Sequence, residues 1–155
     1  MRSDRLLVLA AHLKSDRRGH KIFDFATVTF GPRDEGRHGC GSAGCAFGEL
    51  PVVWPEFWEF AQGLVLGSRT GLYHVRLKSH DTPDGGAGIS KRAMEFFELD
   101  RDEVVALFYA DRRLEEPSPI QALPFTATAE QVADRFIAFV KWREERVAQE
   151  NQNAS

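Results

Sequence analysis

The residues best suited to chemistry lie in one glycine-rich stretch, Cys40-Gly41-Ser42-Ala43-Gly44-Cys45-Ala46-Phe47-Gly48. A thiolate is a nucleophile, and a helix N-terminus stabilises it through free backbone N–H groups and the helix dipole. Cys40 precedes a predicted helix that Ser42 would cap, and His38 is close enough in sequence to act as a base. Cys40 is therefore a candidate nucleophile. The alternative is that both cysteines are small buried core residues, since cysteine is among the most buried residue types.

Two residue types that could activate Cys40 follow it in the chain. His74 lies in Tyr73-His74-Val75-Arg76-Leu77, which alternates as a strand does, and Asp81 or Asp84 follows. A histidine can deprotonate the thiol, and a carboxylate can fix the histidine tautomer. This order resembles papain-like cysteine hydrolases, and the resemblance implies a catalytic set of Cys40, His74 and Asp81. The small predicted β-content argues against that fold.

A second candidate site is the loop and helix start from Gly85 to Arg92. Free N–H groups at a helix start, with two cations beside them, suit an anion or the phosphates of a nucleotide. The segment lacks the Walker pattern Gly-x₄-Gly-Lys-[Ser/Thr], and the alternative is a flexible loop leading into a capped helix. The candidate ligand-binding residues are Gly86, Gly88, Ser90, Lys91 and Arg92.

Neither a metal nor a cofactor is predicted. His38, Cys40 and Cys45 could supply three ligands, but Cys-x₄-Cys is not the usual spacing of a zinc pair and no second pair exists. The net charge of −3 and pI of about 6.0 indicate no nucleic-acid partner. We expect no membrane partner, because no apolar run approaches the roughly 20 residues of a spanning helix and no signal peptide is visible. The expected compartment is the cytoplasm, where both thiols would be reduced.

The elements that must position these residues follow from apolar periodicity and capping signals. Helix 1 is predicted at 4–15, capped by Ser3, with an apolar face at positions 6, 9, 10 and 13. Further helices are predicted at 43–50 (bounded by Pro51), 56–64 (with Pro55 first), 91–97 (capped by Ser90), 102–108 (capped by Asp100) and 129–149 (capped by Thr128 with Gln131). Strands are predicted within 22–30 and at 64–66 and 72–77.

Together these elements predict a single α+β domain over residues 1–150, predominantly helical, with a short β-hairpin or strand pair. Residues 151–155 are predicted to be a disordered tail. The long last helix, with Trp142 near its exposed end, offers a surface for a homodimer.

Three motifs in a fixed order suggest a family. Phe23-Asp24-Phe25 comes first, the Cys40–Gly48 stretch second, and Ala93-Met94-Glu95-Phe96-Phe97-Glu98-Leu99 third. The arrangement resembles small bacterial and phage-associated hypothetical proteins with a Cys-Gly-Thr-x-x-Cys-Ala-x-Gly signature, over about residues 5–142. Ser42 stands where that signature has Thr, and Glu49 where an aromatic residue or His is frequent. The resemblance implies a common fold and no particular reaction.

The sequence therefore favours a small cytoplasmic, non-enzymatic module that binds a protein or a small anionic ligand. The resemblance adds an accessory role in a mobile element. Two alternatives stay open: a cysteine-dependent hydrolase that uses Cys40 and His74, and an anion or nucleotide binder at Gly85–Arg92.

Overall fold

A computed structural model describes residues 1–17, 22–23, 29–30, 43–44, 46–62, 73–77, 87–115 and 118–153. The helices in these ranges are α1 (Ser3–Lys14), a 3-10 helix (Ala46–Glu49), α2 (Leu50–Val53), α3 (Ala87–Phe97), α4 (Arg101–Phe108) and α5 (Ala129–Asn153). The strands are β1 (Ile22–Phe23), β2 (Thr29–Phe30), β3 (Ala43–Gly44), β4 (Trp58–Gln62) and β5 (Tyr73–Leu77). Helix exceeds strand in these ranges, which confirms the predicted predominantly helical fold. None of these helices combines the length and apolar character needed to cross a membrane.

The strands form two small groups. β3 pairs parallel with β1 and antiparallel with β2. β4 and β5 are antiparallel, with Trp58 opposite Leu77 and Gln62 opposite Tyr73. Residues 63–72, which would carry the turn of a hairpin, lie outside the described residues, as does the predicted strand at 64–66. The strand at 73–77 lies within the predicted 72–77.

Helices α1 and α5 pack along each other in opposite directions, and each buries one apolar face. The predicted apolar face of α1 is confirmed: Leu6, Leu9, Ala10 and Leu13 are at most 1% exposed. An ion pair between Lys14 and Asp134 joins the end of α1 to the first turns of α5. The buried face of α5 carries Val132, Phe136, Phe139 and Val140, as its helical spacing predicts.

An aromatic stack connects the central stretch to the helices. Phe47 of the 3-10 helix stacks on Phe108 of α4, with ring centroids 4.4 Å apart and planes at 13°. Phe108 in turn contacts Phe136 of α5 and Phe97 of α3. Ala46, Phe47 and Leu50 are all buried at this junction. The segment after Cys45 therefore has an architectural role, because its side chains fill the space between four helices.

The predicted helix at 56–64 is wrong. Pro55 lies in a turn, and Trp58–Gln62 is strand β4. The apolar spacing at 57, 60, 61 and 64 fits a helix, but the aromatic residues Trp58 and Phe60 are also typical of strands. Pairing with β5 satisfies the backbone of β4 and leaves Trp58 1% exposed. A long-range pairing decides the structure where the local pattern is ambiguous.

The predicted helix at 43–50 is also wrong in its details. Ala43–Gly44 is a strand, a 3-10 helix follows, and Pro51 lies in the first turn of α2 instead of ending a helix. Proline suits that position because an N–H in the first turn has no partner within the helix. Ser42, the predicted cap, lies outside the described residues.

Two of the four predicted caps within the described residues are confirmed. Asp100 and Glu103 form a capping box, and Thr128 and Gln131 exchange the equivalent pair of hydrogen bonds. Ser3 is instead the first helical residue of α1, which begins without a side-chain cap. Helix α5 continues to Asn153, past the predicted 149, so residues 151–153 of the predicted tail are helical, while residues 154–155 lie outside the described residues. An Arg146–Glu150 pair one turn apart supports the end of the helix.

The start of α1 predicts a measurable titration. Arg2 donates from Nε and Nη2 to the two carboxylate oxygens of Asp4 at 2.9 and 2.8 Å, and these bonds hold the pKa of Asp4 at about 2, below its ordinary 3.8. The stabilisation is present above pH 3.8 and is lost as the pH falls through about 2. We expect Arg2→Ala to move the NMR titration midpoint of the Asp4 carboxyl carbon back towards 3.8. Arg17→Ala is the control, and an unchanged Asp4 midpoint in Arg2→Ala would contradict the assignment.

Candidate functional site

The predicted cysteine site lies mostly outside the described residues. Cys40 and Asp81 are not within them, nor are Cys45 and Asp84. His74 is the second residue of β5, as expected of a histidine on a strand, but its side chain is not described. The catalytic set of Cys40, His74 and Asp81 therefore stays a prediction.

The predicted anion site at Gly85–Arg92 is partly described. Gly86 lies outside the described residues, and α3 begins at Ala87, so Gly88 and Ser90 belong to its first turn. The predicted Ser90 cap is therefore wrong. The Ser90 hydroxyl instead hydrogen-bonds the Tyr109 hydroxyl at 2.7 Å.

The two cations predicted for that site differ in their surroundings. Arg92 Nη1 lies 3.2 Å from a carboxylate oxygen of Glu95, whereas Lys91 is exposed. One of the two is thus already used within its own helix. Anion binding at the start of α3 stays a prediction that depends mainly on Lys91.

A different site stands out in the described structure. A cleft of about 440 Å³ lies between the start of α4, residues 112–115 and α5. Four arginines and a tryptophan contribute to its wall: Arg112, Arg113, Trp142, Arg143 and Arg146. We call it the arginine cleft. Its volume is within the range of sites that hold small ligands.

Arg143 is the most firmly positioned of the four arginines. Its Nε lies 3.0 Å from Glu103 Oε1 in an ion pair, and the Glu103 side chain is 5% exposed. Glu103 Oε2 accepts the Asp100 N–H at 2.9 Å as part of the capping box of α4. A buried carboxylate fixed by backbone therefore orients the guanidinium, which needs no further ordering to meet a ligand.

Arg146 lies one turn further along α5. Its guanidinium carbon is 5.1 Å from the centre of the Trp142 ring, a cation–π contact, and Nη2 lies 3.3 Å from Glu150. The Trp142 ring also contacts Phe139, so the core supports it from behind. Arg146 is thereby confined to the side of α5 that faces the cleft.

Arg112 and Arg113 lie on an irregular segment that Arg135 holds in place. The Arg135 side chain is buried, and its terminal nitrogens donate to the carbonyl oxygens of Ala106, Tyr109, Arg112 and Gln121 at 2.6–3.4 Å. Burial lowers the pKa of Arg135 to about 10, so the group is still charged at neutral pH. One charged side chain of α5 therefore bonds the last turn of α4 and also the carbonyl groups of Arg112 and Gln121 in the segment that follows it.

The wall of the cleft carries four arginines and four acidic residues, so the groups left for a ligand depend on which of them are already bonded. Four acidic residues also contribute to the wall: Asp100, Asp102, Glu103 and Glu115. Asp100 and Glu103 use their carboxylates on backbone N–H groups and on Arg143. Arg112 and Arg113 are exposed and form no ion pair with other residues in the described ranges. Asp102 and Glu115 are the lining carboxylates without such a contact in the described residues, whereas each of the four guanidinium groups keeps N–H donors that an anionic ligand can reach.

A second buried polar pair connects α1 to the central stretch. His12 Nε2 lies 2.8 Å from Glu49 Oε2, and the Glu49 side chain is fully buried while that of His12 is 14% exposed. No group of three or more His, Cys, Asp or Glu side chains in the described residues could hold a metal ion. The pair therefore reads as a contact between elements, in which α1 meets the segment that follows Cys45.

Comparison with family models, curated proteins and solved structures finds no match for this chain. The resemblance to phage-associated proteins therefore stays a prediction.

Reading the sequence did not single out the arginine cleft. Its arginines are separated by some thirty residues along the chain, and only the folding of 112–115 against α5 brings them together. Two local signals were available. The Asp100 and Glu103 spacing is that of a capping box, and Arg135 stands three residues after Val132 on an otherwise apolar helix face.

Arg135 gives a direct stability prediction. Arg135→Met should lower the free energy of unfolding by about 3 kcal/mol, because buried carbonyl oxygens lose their donor. Arg135→Lys should give a smaller loss than Arg135→Met, because an ammonium still donates to some of the carbonyl oxygens. It should still be less stable than the wild type, because an ammonium cannot reach all four acceptors. Urea unfolding measures both, with exposed Arg101→Met as the control, expected within about 0.5 kcal/mol of the wild type. A loss in Arg135→Met no larger than that of the control would refute the assigned role.

The His12–Glu49 pair gives a coupling prediction. A double-mutant cycle of His12→Gln and Glu49→Gln should show a coupling energy of about 1 kcal/mol or more, because the two groups are buried and in contact. The exposed Lys14–Asp134 pair is the matched control, with a coupling of about 0.5 kcal/mol or less. Additive single-variant effects for His12 and Glu49 would mean that the contact contributes nothing to stability.

Proposed function

We propose that this chain is a non-enzymatic binding module that takes an anionic ligand in the arginine cleft. The observation that carries the proposal is Arg143, which the buried Glu103 carboxylate holds through Nε. Glu103 is in turn fixed by its bond to the Asp100 N–H. The two terminal amino groups of Arg143 form no bond to other described residues, so they are available to a carboxylate or phosphate.

Guanidinium groups suit such a ligand for a geometric reason. Their planar donor set matches the two oxygens of a carboxylate or phosphate, and the resulting charge-assisted bonds are about twice as strong as neutral ones. Binding is favoured further when the protein groups are already ordered, since less side-chain freedom is lost. Arg143 and Arg146 have that property, and the segment of Arg112 and Arg113 is held by Arg135.

The residue types in the cleft favour binding over catalysis. The described residues that line it include no cysteine, serine or histidine. A nucleophile with an adjacent base is the usual requirement for covalent catalysis. The arginine cleft therefore supports recognition of a ligand more than covalent chemistry on it.

Other parts of the sequence-based hypothesis belong to the same proposal. We place the module in the cytoplasm, with an accessory role in a mobile element as the phage-like motifs suggest. A homodimer through α5 and a hairpin turn between β4 and β5 are further proposals. None of them is needed for the arginine cleft to bind an anion.

Calorimetry with two probes tests the proposal. Tetraglutamate and inorganic pyrophosphate supply carboxylate and phosphate oxygens, and we expect at least one of them to bind in low salt. The double variant Arg112→Ala/Arg113→Ala should weaken that binding at least about tenfold, because two of the four guanidinium groups are lost.

The matched control removes the same charge elsewhere. Arg17→Ala/Lys91→Ala deletes two exposed positive charges outside the cleft and should leave the dissociation constant within about twofold, since distant exposed charges are screened. Equal losses in the two double variants would show that binding depends on net charge and not on the cleft. No heat with either probe would reject the proposed function.

A further inference from the structure

A second cavity adjoins the arginine cleft. It has a volume of about 480 Å³ and lies where the start of α1 meets the later turns of α5. Met1 and Ser3 form one side, and Val147, Ala148 and Asn151 form the other. Arg143 lines both cavities, so the two are neighbours on either side of one side chain. We call the second cavity the Val147 groove.

The Val147 groove is the uncovered continuation of the core face of α5. Val147 follows Val140 by seven residues, two helical turns, and therefore lies on the face that buries Phe136 and Val140. Those residues are covered by neighbouring elements, but Val147 is 51% exposed because α1 begins opposite it. Val147 thus lies on the helix face that is buried elsewhere in α5, but it is exposed to solvent beside the arginine cleft.

The two cavities differ in chemistry. The arginine cleft is lined mostly by charged side chains, four of them arginines, whereas Val147, Ala148 and the half-buried Met1 give the groove an apolar wall beside the polar Ser3, Glu144 and Asn151. Methionine adapts its shape to different apolar partners. A small oxyanion would fill only the first cavity. A ligand that uses both must be extended, with negative charge at one end and an apolar group at the other.

We infer that the ligand is an acidic peptide segment that carries an apolar side chain next to its carboxylates. This inference rests on the proposed function and assigns the chemistry of its ligand. The carboxylates lie among Arg112, Arg113, Arg143 and Arg146, and the chain passes Arg143 so that the apolar side chain covers Val147. Arginine clusters are a recurrent means of recognising acidic peptide motifs.

Fluorescence anisotropy with four labelled hexapeptides tests the inference. Two carry leucine beside an acidic block, Leu-Ala-Glu-Glu-Glu-Glu and its reverse, and two carry serine in place of leucine. In at least one orientation, the leucine peptide should bind about tenfold more tightly than its serine counterpart, because burying a leucine side chain is favourable. Val147→Ser should reduce this ratio to about one.

Val8→Ser is the matched control for Val147→Ser. Val8 is a valine of α1, 49% exposed and outside both cavities, so its loss should leave the leucine-to-serine ratio unchanged. Circular dichroism of both variants checks that α1 and α5 are intact. Arg112→Ala/Arg113→Ala should weaken all four peptides and preserve the ratio.

The outcomes separate the two proposals. If leucine and serine peptides bind equally, or if Val147→Ser keeps the ratio, the peptide inference is wrong while the arginine cleft still binds anions. Binding of pyrophosphate without binding of any peptide also overturns the inference and identifies a small oxyanion ligand. If neither peptides nor pyrophosphate bind, the proposed function fails and the inference fails with it.

Discussion

One buried charge organises the half of the molecule that carries the arginine cleft. Arg135 is on the core face of α5, where an apolar residue would be expected, and it donates to four carbonyl oxygens of α4 and the segment after it. An irregular segment lacks the regular backbone hydrogen bonds of a helix or sheet, so its carbonyl groups need other donors. The guanidinium group of Arg135 supplies several of these donors from the core. The contact also explains why a charge is tolerated there, since the hydrogen bonds offset part of the free energy lost on dehydration.

Two buried carboxylates likewise bond to groups on elements that are distant in the sequence. Glu103 lies between a helix N-terminus and Arg143, and Glu49 lies against His12. Each buried acid joins two elements that are distant in sequence, so each favours one arrangement of those elements over others. The aromatic stack of Phe47, Phe108 and Phe136 supplies apolar burial across the same junction. Burial contributes most of the stability, while the polar contacts select the geometry.

The arginine cleft depends on these polar contacts, because they fix the positions of the elements that form its wall. Its wall is made of rigid helices on two sides and a held segment on the third, so its guanidinium groups are ordered before a ligand arrives. Groups ordered in this way favour recognition, because less entropy is lost on binding. The adjoining Val147 groove exists for a simpler reason: α5 is about twice as long as α1 and continues beyond it.

Local chemistry in the sequence determined α1 with its buried face, the capping boxes of α4 and α5 and the predominance of helix. These features depend on neighbours within a turn or two, so periodicity and cap residues suffice to predict them. Only the tertiary structure decided that Trp58–Gln62 is a strand, that Pro51 lies in the first turn of a helix, and that Arg112 and Arg143 share a cleft. Those outcomes depend on partners that are far away in the chain, β5 for the strand and α5 for the cleft. No local pattern records such pairings, because the free energy that selects them comes from contacts that exist only after the elements have packed.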